Sequence, residues 1–181
     1  MNKDFKWYWL DPSMDTNADI EMRSLRGKVN YSCFKDYLDL LKVLKGEKGN
    51  FGIIQEVMFK QNSPFFSPKW WNGKKDKYIP SIPMEKNSNP LDGLAFYETM
   101  IVEEGFENGI LPSPVLFLTN IGEGSPAYKD VMEGIGKVKE SWAGKHQMQD
   151  LNDAKVEYAH KWRTSYEDIT EKLLEFEKGV V

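Results

Sequence analysis

Residues Phe51–Phe59 read FGIIQEVMF, and whether they form a helix or a strand decides which class of fold the sequence predicts. Their apolar side chains at alternate positions fit a β-strand, whereas Ile53, Ile54 and Val57 also fit one face of a helix. The run Val115–Thr119 (VLFLT) is ambiguous in the same way. We predict helices for both segments, which makes the chain mainly α. If both segments were strands, a small sheet would form and the fold would be α+β.

Outward from these two segments, several helices are indicated by Asp, Ser or Asn followed by Pro. The side-chain oxygen of the first residue caps the helix, and proline lacks an N–H that would have no partner in the first turn. Apolar residues at helical spacing then run to a glycine, which commonly ends a helix. Two predicted helices begin with such a pair, Asn89 to Gly105 and Ser125 to Gly144. Three more begin with a capping residue alone: Asp15 or Asn17 to Gly27, Ser32 to Gly46, and Asp150 to Lys178.

The last of these predicted helices is the longest, and its apolar stripe runs from Leu151 to Phe176. The spacing of the stripe is close to the straight-helix period of about 3.6 residues. A heptad register can also be drawn from Ala159 to Phe176, but it spans fewer than three heptads. We interpret this helix as packing along the core of its own domain, with an intermolecular bundle as the alternative.

Between the two helical parts lies an irregular stretch, residues 61–89, that is rich in proline and aromatic residues. It is long for a loop in a compact domain, and such loops are usually functional or disordered. Its many aromatic side chains argue against disorder. The sequence therefore predicts one bundle-like domain over residues 1–181, with about five helices: helical over 15–60, irregular over 61–89 and helical over 90–179.

The composition fits one globular domain with a single hydrophobic core. The chain has 181 residues, 40% of them hydrophobic, and its 13% aromatic content includes six Trp. Cys33 is the only cysteine, which favours a reducing compartment. The stretch Met1–Leu10 has no apolar core of a secretory signal, and no apolar run is long enough to span a membrane. We expect an intracellular protein, located in the cytoplasm or in an organelle matrix after removal of a presequence.

Charge is distributed unevenly along the chain, whose formal net charge is −4. Residues 1–90 carry 15 basic and 11 acidic side chains, and residues 91–181 carry 9 and 17. The stretch Lys69–Tyr78 alternates lysines with aromatic rings, a pattern typical of single-stranded nucleic-acid sites. It is one patch on an acidic protein, so we do not favour nucleic acid as a partner.

Two motifs imitate ligand-binding loops. Gly122–Ala127 matches the G-x-G-x-x-A pattern of dinucleotide sites, but Glu123 would lie beside the pyrophosphate, and a Ser-Pro helix cap already explains the turn. Asp15–Asp19 resembles the first part of a calcium loop, yet Ile20 and Arg26 stand where the loop needs glycine and glutamate. We interpret both stretches as helix starts.

Catalytic and metal-binding signatures are weak. Glu157 and His160 would share one face of the last predicted helix, but there is no second Glu-x-x-His motif to complete a two-metal site. Cys33 lies at an apolar helix start, where a buried and inert thiol is expected. We therefore predict no catalytic residue, no metal ligand and no cofactor, and we leave the question of enzyme activity open while leaning against it.

The surplus of aromatic residues leads to a functional hypothesis. Interfaces between proteins recruit Trp, Tyr and Phe, so we predict a non-catalytic structural or accessory protein that packs against other protein subunits in a larger assembly. The alternative is a ligand-binding protein or enzyme with an aromatic-lined pocket, for which carbohydrate is the natural ligand. Each candidate partner-binding residue belongs either to the interface or to the core. These residues are Trp7, Trp9, Phe65, Phe66, Trp70, Trp71 and Tyr78.

Overall fold

A computed structural model describes the conformation of nine separate parts of the chain. The described parts are residues 5–11, 25, 27–57, 92–103, 114–145, 147–148, 150–151, 154–161 and 163–178. The calcium-like stretch Asp15–Asp19 and the irregular stretch 61–89 lie outside these described residues.

Five strands form one parallel sheet. In chain order they are β1 (Lys6–Leu10), β2 (Tyr31–Phe34), β3 (Phe51–Glu56), β4 (Val115–Thr119) and β5 (Val156–His160). Their order across the sheet is β2-β1-β3-β4-β5, and each neighbouring pair is parallel. Parallel strands require crossover connections over the faces of the sheet, and in the described residues these crossovers contain helices.

The helices of the described residues lie on both faces of this sheet. They are α1 (Tyr37–Leu44), α2 (Asp92–Phe96), which continues as a π-helical segment (Tyr97–Glu103), α3 (Tyr128–Lys145) and α4 (Tyr166–Lys178). Helix α1 begins at Asp36, whose side chain accepts a hydrogen bond from the backbone N–H of Leu38 at 2.7 Å. This is the N-terminal capping that short polar residues provide.

Two hydrophobic cores, one on each face, hold the layers together. Successive side chains of a strand point to opposite faces, so β1 contributes Trp7 and Trp9 to one core and Tyr8 and Leu10 to the other. The first core packs under α4 through Leu173 and Phe176, and the second packs under α1, α2 and α3. The fold is therefore an α/β sandwich with helices on both sides of a parallel sheet.

The predicted mainly α fold is wrong, and the reason lies in the deciding segments. Residues Phe51–Glu56 and Val115–Thr119 are central strands, and every one of their side chains is buried. A parallel strand covered by helices on both faces is apolar on both faces, so it shows no alternation of polar and apolar residues. Such a run cannot be distinguished from a buried helix by its periodicity. Both segments are strands, but they join a parallel α/β sheet and not a separate small sheet.

Four of the predicted helices overlap helices of the structure, including the one from Asn89 to Gly105, and two of these four also cover a strand. The prediction from Ser125 to Gly144 is confirmed by α3. In the last predicted helix, Val156–His160 is strand β5, and only Tyr166–Lys178 is helical. Similarly, the stretch predicted to be helical from Ser32 contains β2 before α1 begins. The short strands were hidden because each adjoins a helix with a strong apolar period.

Gly52 in β3 allows β1 and β3 to pair closely. It lies opposite Trp7, and a Cβ added at Gly52 would come within 2.3 Å of the indole ring, which is fully buried. Because that ring has no room to move away, we expect Gly52→Ala to lower the free energy of unfolding by about 1–3 kcal/mol. Chemical denaturation should also show that Gly52→Ala and Trp7→Phe together cost less than the sum of the two single changes. Strict additivity would contradict the proposed clash.

The loop after α1 is fixed to β1 by a hydrogen bond from the Tyr8 hydroxyl to the Glu47 carboxylate. This bond, together with the backbone N–H groups of Gly49 and Lys48, lowers the pKa of Glu47. A lowered pKa in the folded state stabilises the protein above the unfolded-state pKa of about 4.3, and this stabilisation is lost as pH falls through the folded-state value. We expect Tyr8→Phe to reduce stability at neutral pH, and the difference from wild type to shrink in urea titrations below about pH 4. A difference that does not change with pH would contradict this.

Candidate functional site at the carboxyl edge of the sheet

Three charged residues follow the ends of three strands. Asp11 comes directly after β1, Glu56 is the last residue of β3, and Lys161 comes directly after β5. The register pairs Leu10 with Gln55, so the next position places Asp11 beside Glu56. The carboxyl ends of parallel strands meet at one edge of a sheet, and the topology therefore gathers these residues from distant parts of the chain.

All three side chains also lie on the same face of the sheet. Asp11 is in phase with Trp9 in β1, and Glu56 is in phase with Ile54 in β3. Trp9 and Ile54 belong to the core under α4, and Ala159, two positions before Lys161, belongs to the same core. The twofold period of strands thus directs the two carboxylates and the ammonium group toward the same side.

The three side chains form an ion-paired cluster that we call the carboxyl-edge triad. The Nζ of Lys161 donates to the Oδ2 of Asp11 at 2.8 Å and also forms an ion pair with the Oε2 of Glu56. Only 5% of the Asp11 side chain and 3% of the Glu56 side chain are exposed, against 16% for Lys161. The triad therefore consists of largely desolvated charges that compensate one another.

The charge state of Lys161 follows from two opposing effects. Burial by itself lowers its pKa, but the negative charges of Glu56 and Asp11 and the hydrogen bonds to both outweigh burial, and the pKa rises above its ordinary value. Lys161 is consequently charged at neutral pH. A folded-state pKa that is raised stabilises the protein fully below the unfolded-state value of about 10.4, so this contribution is lost only in strongly alkaline solution.

The triad lies where the strand order of the sheet reverses. Strand β1 connects outward to β2 on one side, while β3, β4 and β5 follow on the other. In open α/β sheets with this strand order, ligands bind in the crevice outside the carboxyl ends at this switch point. Asp11 and Glu56 come from the two strands that flank the point, so the triad occupies the position at which such folds bind or sense ligands.

The loop after β4 borders the same edge. The Thr119 hydroxyl accepts a hydrogen bond from the Ile121 N–H at 3.1 Å, and the Tyr158 hydroxyl donates to the Ile121 carbonyl at 2.9 Å. A Cβ added at Gly122 would lie 3.1 Å from the Nε2 of His160. The loop is therefore held against β5 immediately next to Lys161.

The start of α2 closes over the end of β3. The N–H of Gly93 donates to the carbonyl of Val57 at 2.9 Å, and a Cβ added at Gly93 would lie 2.0 Å from the carbonyl oxygen of Glu56. Backbone thus meets backbone at this contact, which only glycine allows. The position of α2 is coupled in this way to the residue that carries one carboxylate of the triad.

Two of the predicted partner-binding residues lie among the described residues, and both are inside the protein. Trp7 is 0% exposed and Trp9 is 4% exposed. The indole N–H of Trp7 donates to the Oε1 of Glu177 at 3.3 Å. Both rings therefore lie in the core, which the sequence analysis left open as the alternative to an interface. The other five residues lie outside the described part of the chain: Phe65, Phe66, Trp70, Trp71 and Tyr78.

Glu157, His160 and Cys33 lie in strands and not in the helices predicted for them. Glu157 and His160 lie on a strand, where a separation of three residues puts them on opposite faces, and Glu157 pairs with Lys172 at 3.3 Å. Cys33 lies in β2 with an exposed thiol, not in a buried helix start. In the loop that begins at Gly122, the hydroxyl of Ser125 accepts a hydrogen bond from the backbone N–H of Ala127 at 3.3 Å, as a capping residue does.

Among the residues that the structure describes, no group of three or more His, Cys, Asp and Glu side chains is arranged to hold a metal ion. Among the helices that the structure describes, none is both long enough and apolar enough to cross a membrane.

The triad itself was not predicted from the sequence. The Asp11-Pro12 pair fits the Asp-Pro pattern of a helix start, and Glu56 and Lys161 fall inside predicted helices. A signal was present at two of the three positions, because the apolar run WYWL precedes Asp11 and FGII shortly precedes Glu56. The stretch VEYAH before Lys161 mixes polar and apolar residues and gives no such signal.

No protein-family model and no curated protein sequence matches the chain. Solved structures with a similar course of the chain are response regulators. They include a Francisella receiver domain (TM-score 0.48, 13% identity, covering 96% of this chain and 97% of that one) and the Vibrio cholerae chemotaxis protein CheY4 (0.47, 15%, 97% and 98%). A third is a CheY-like receiver domain from Methanospirillum hungatei JF-1 (0.47, 11%, 97% and 97%). The chain spans 59% of the response regulator StyR, at 12% identity and a TM-score of 0.47.

These findings correct the functional hypothesis drawn from the sequence. The prediction of a structural or accessory subunit is wrong: it rested on aromatic side chains recruited to an interface, and the two that the structure describes, Trp7 and Trp9, lie in the core of a parallel α/β sheet. The alternative of an aromatic-lined carbohydrate pocket is not supported either, since the two Trp residues described are packed in the core under α4. At identities of 11–15%, the likeness concerns the fold and does not assign the chain to a family.

Proposed function

We propose that this chain is a signalling domain in which the carboxyl-edge triad holds the surrounding loops in one of two arrangements. The observation that carries the proposal is that Lys161 bridges two buried carboxylates from different strands at the switch point of the sheet. The response-regulator titles of the similar structures name signalling as well, but the proposal rests on the triad alone.

The energetics of the triad favour a role in specifying conformation. Removing charges from water costs several kcal/mol per ion, and their mutual attraction often does no more than offset this. Apolar residues would stabilise this edge equally well, so a buried ion cluster is better explained by the arrangement that it specifies. Asp11, Glu56 and Lys161 lie at or directly after the ends of three different strands, and one ammonium group therefore ties three strand ends together.

A charge-based switch follows from the same geometry. A ligand or modification that changes the charge on Asp11 or Glu56 would release Lys161 and allow the loops to rearrange. The contact of Gly93 with the end of β3 would carry such a change to α2 and to the π-helical segment Tyr97–Glu103. Short π-helical segments are rare and often lie at functional sites.

We expect Glu56→Gln to test this role, because it removes one charge and preserves the shape of the side chain. Amide hydrogen exchange should accelerate about tenfold at the carboxyl edge, where the N–H groups of Asp11, Val57 and Lys161 bond to neighbouring strands. The corresponding amides at the amino edge, including Trp7 and Ile53, should remain unchanged.

Glu157→Gln is the matched control, since it removes a partly exposed carboxylate whose lysine partner is at 3.3 Å on the same face of the sheet. It should leave exchange at both edges unchanged. If Glu56→Gln accelerated exchange equally at both edges, the triad would only stabilise the fold. If it accelerated exchange at neither edge, the triad would not hold the loops, and either result would contradict the proposal.

We also propose that the partner of this domain is another protein, located in a reducing intracellular compartment. The only cysteine, Cys33, presents an exposed thiol on the edge strand β2, which suits reducing conditions. The net charge of −4 does not suit the surface of a nucleic acid.

A further inference from the structure

Lysines gather at the amino edge of the sheet, opposite the carboxyl-edge triad. All five strands are parallel, so they all begin at this edge. We call the described residues that lead into or begin the strands the amino-edge strip: 5–6, 27–30, 45–50, 114 and 154–155. Its lysines are Lys6, Lys28, Lys45, Lys48 and Lys155.

Backbone hydrogen bonds fix the parts of the strip side by side. The N–H groups at the starts of two strands donate to the residues that lead into neighbouring strands: Trp7 to Asn30 at 2.8 Å, Lys6 to Asn50 at 3.1 Å, and Val115 to Lys155 at 2.8 Å. Neighbouring strands lie about 4.8 Å apart, so the strip extends over about 19 Å from β2 to β5. The lysines are therefore distributed along a line.

The positive charge of the strip is not balanced within it. Its one carboxylate, that of Glu47, already accepts the hydrogen bond from the Tyr8 hydroxyl. Among the residues that the structure describes, Lys28, Lys48 and Lys155 form no ion pair with a carboxylate. Their ammonium groups are thus available to carboxylates from outside the chain.

The helix dipole explains only one of these lysines. Lys45 is the C-cap of α1, where the negative end of the helix dipole itself favours a cation. The inference therefore rests on the other lysines of the strip.

The composition of the strip selects the class of partner. None of the large apolar side chains that the described residues expose lies in it, so it lacks the apolar anchor of a membrane-surface site. It also holds no arginine and no exposed aromatic ring, the groups that grip phosphates and stack on bases. Ammonium groups along a line suit an extended acidic peptide, whose alternate side chains point to the same side.

We infer that the amino-edge strip docks an extended acidic segment of a partner protein, whose carboxylates pair with Lys6, Lys28, Lys48 and Lys155. A segment of about six extended residues spans the strip. The inference rests on the proposal that the partner is a protein and specifies the chemistry of that partner. It does not depend on the triad, which lies at the opposite edge of the sheet.

A fluorescein-labelled peptide of eight alternating Glu and Ser residues is a suitable probe, and the same peptide with Gln in place of Glu is its matched control. At low ionic strength, fluorescence anisotropy should show that the full chain binds the Glu peptide at least about tenfold more tightly, because several surface ion pairs add. The difference should disappear at about 1 M salt, where the screening length is about 3 Å. Equal binding of the two peptides at low salt overturns the inference, and this result needs no variant.

A triple variant locates the binding site. Lys28→Gln, Lys48→Gln and Lys155→Gln together should weaken binding of the Glu peptide about tenfold. The matched control makes the same change at three lysines outside the strip: Lys35, Lys129 and Lys139. Both triple variants lower the net charge equally, but the control should bind within about twofold of wild type. Equal weakening in the two would show that overall charge and not the strip binds the peptide, which overturns the inference.

Vesicles of phosphatidylserine and phosphatidylcholine test the class of partner. The wild type should not sediment with them under the conditions in which it binds the Glu peptide. If it bound the vesicles and not the peptide, the proposal of a protein partner would fail together with the inference. Equal weakening in the two triple variants removes the inference alone. Neither result bears on the exchange experiment with Glu56→Gln, so failure of the proposed switch is distinguishable from both.

Discussion

Replacing Lys161 with methionine is expected to lower the free energy of unfolding by about 3–5 kcal/mol, because the change leaves two buried carboxylates without their counter-charge. Only 5% and 3% of the Asp11 and Glu56 side chains are exposed, so water cannot replace the lost ammonium group. Urea denaturation at neutral pH, where both the wild type and the variant can be followed by circular dichroism, measures the difference.

Lys172→Met is the matched control for this change. Lys172 also bridges to a carboxylate on the same side of the sheet, at 3.3 Å, but 37% of its side chain is exposed. Exposed ion pairs contribute at most about 1 kcal/mol, so this variant should be close to wild type in stability. Equal losses for the two lysines would show that Lys161 is not the counter-charge of a buried cluster.

A triple variant separates the charge of the triad from its packing. Changing Asp11 to Val and Glu56 to Leu together with Lys161→Met removes every charge and places apolar side chains at all three positions. Because replacing a complete buried ion cluster by well-packed hydrophobic residues is often neutral or stabilising, most of the lost stability should return. Because the triad is absent from it, the triple variant should still show faster hydrogen exchange at the carboxyl edge and unchanged exchange at the amino edge, as Glu56→Gln does. A triple variant less stable than Lys161→Met alone would contradict this explanation.

Gly93→Ala is expected to have the second large effect, a loss of about 3 kcal/mol in the free energy of unfolding. The added Cβ would lie 2.0 Å from the carbonyl oxygen of Glu56 and 2.8 Å from that of Val57. Both atoms belong to the backbone, at the last residue of the central strand β3 and the residue directly after it, so they cannot rotate away as a side chain does. Either α2 moves off the end of β3 or the end of β3 shifts, and the triad is disturbed in both cases.

Gly136→Ala provides the control for this prediction, with the opposite sign. Gly136 lies inside α3, and a Cβ there meets nothing within 4 Å. Alanine is favoured over glycine inside a helix by about 0.5–1 kcal/mol, so Gly136→Ala should be slightly more stable than wild type. Thermal unfolding of the two variants compares them directly. A stable Gly93→Ala protein would show that α2 does not press on the end of β3.

The local signals in the sequence predicted helices well where a helix has one buried face. Helix α3 has its apolar residues at helical spacing, and the Ser-Pro start and glycine near the end marked its limits to within a few residues. Helix α1 lies within a predicted helix, and so does α4. In each case the pattern is visible because one side of the helix faces the sheet and the other faces water.

The sequence alone therefore determined that the chain has helices with one buried face, a single cysteine and a net negative charge. It also showed the apolar runs at Phe51–Glu56 and Val115–Thr119. Only the tertiary structure decided that those runs are strands, because burial on both faces removes the alternation that identifies a strand. The triad was also decided at that level. Asp11, Glu56 and Lys161 are far apart in sequence, and nothing local relates them. Parallel pairing brings the carboxyl ends of β1, β3 and β5 to one edge, and the twofold period of the strands turns all three side chains to the same face.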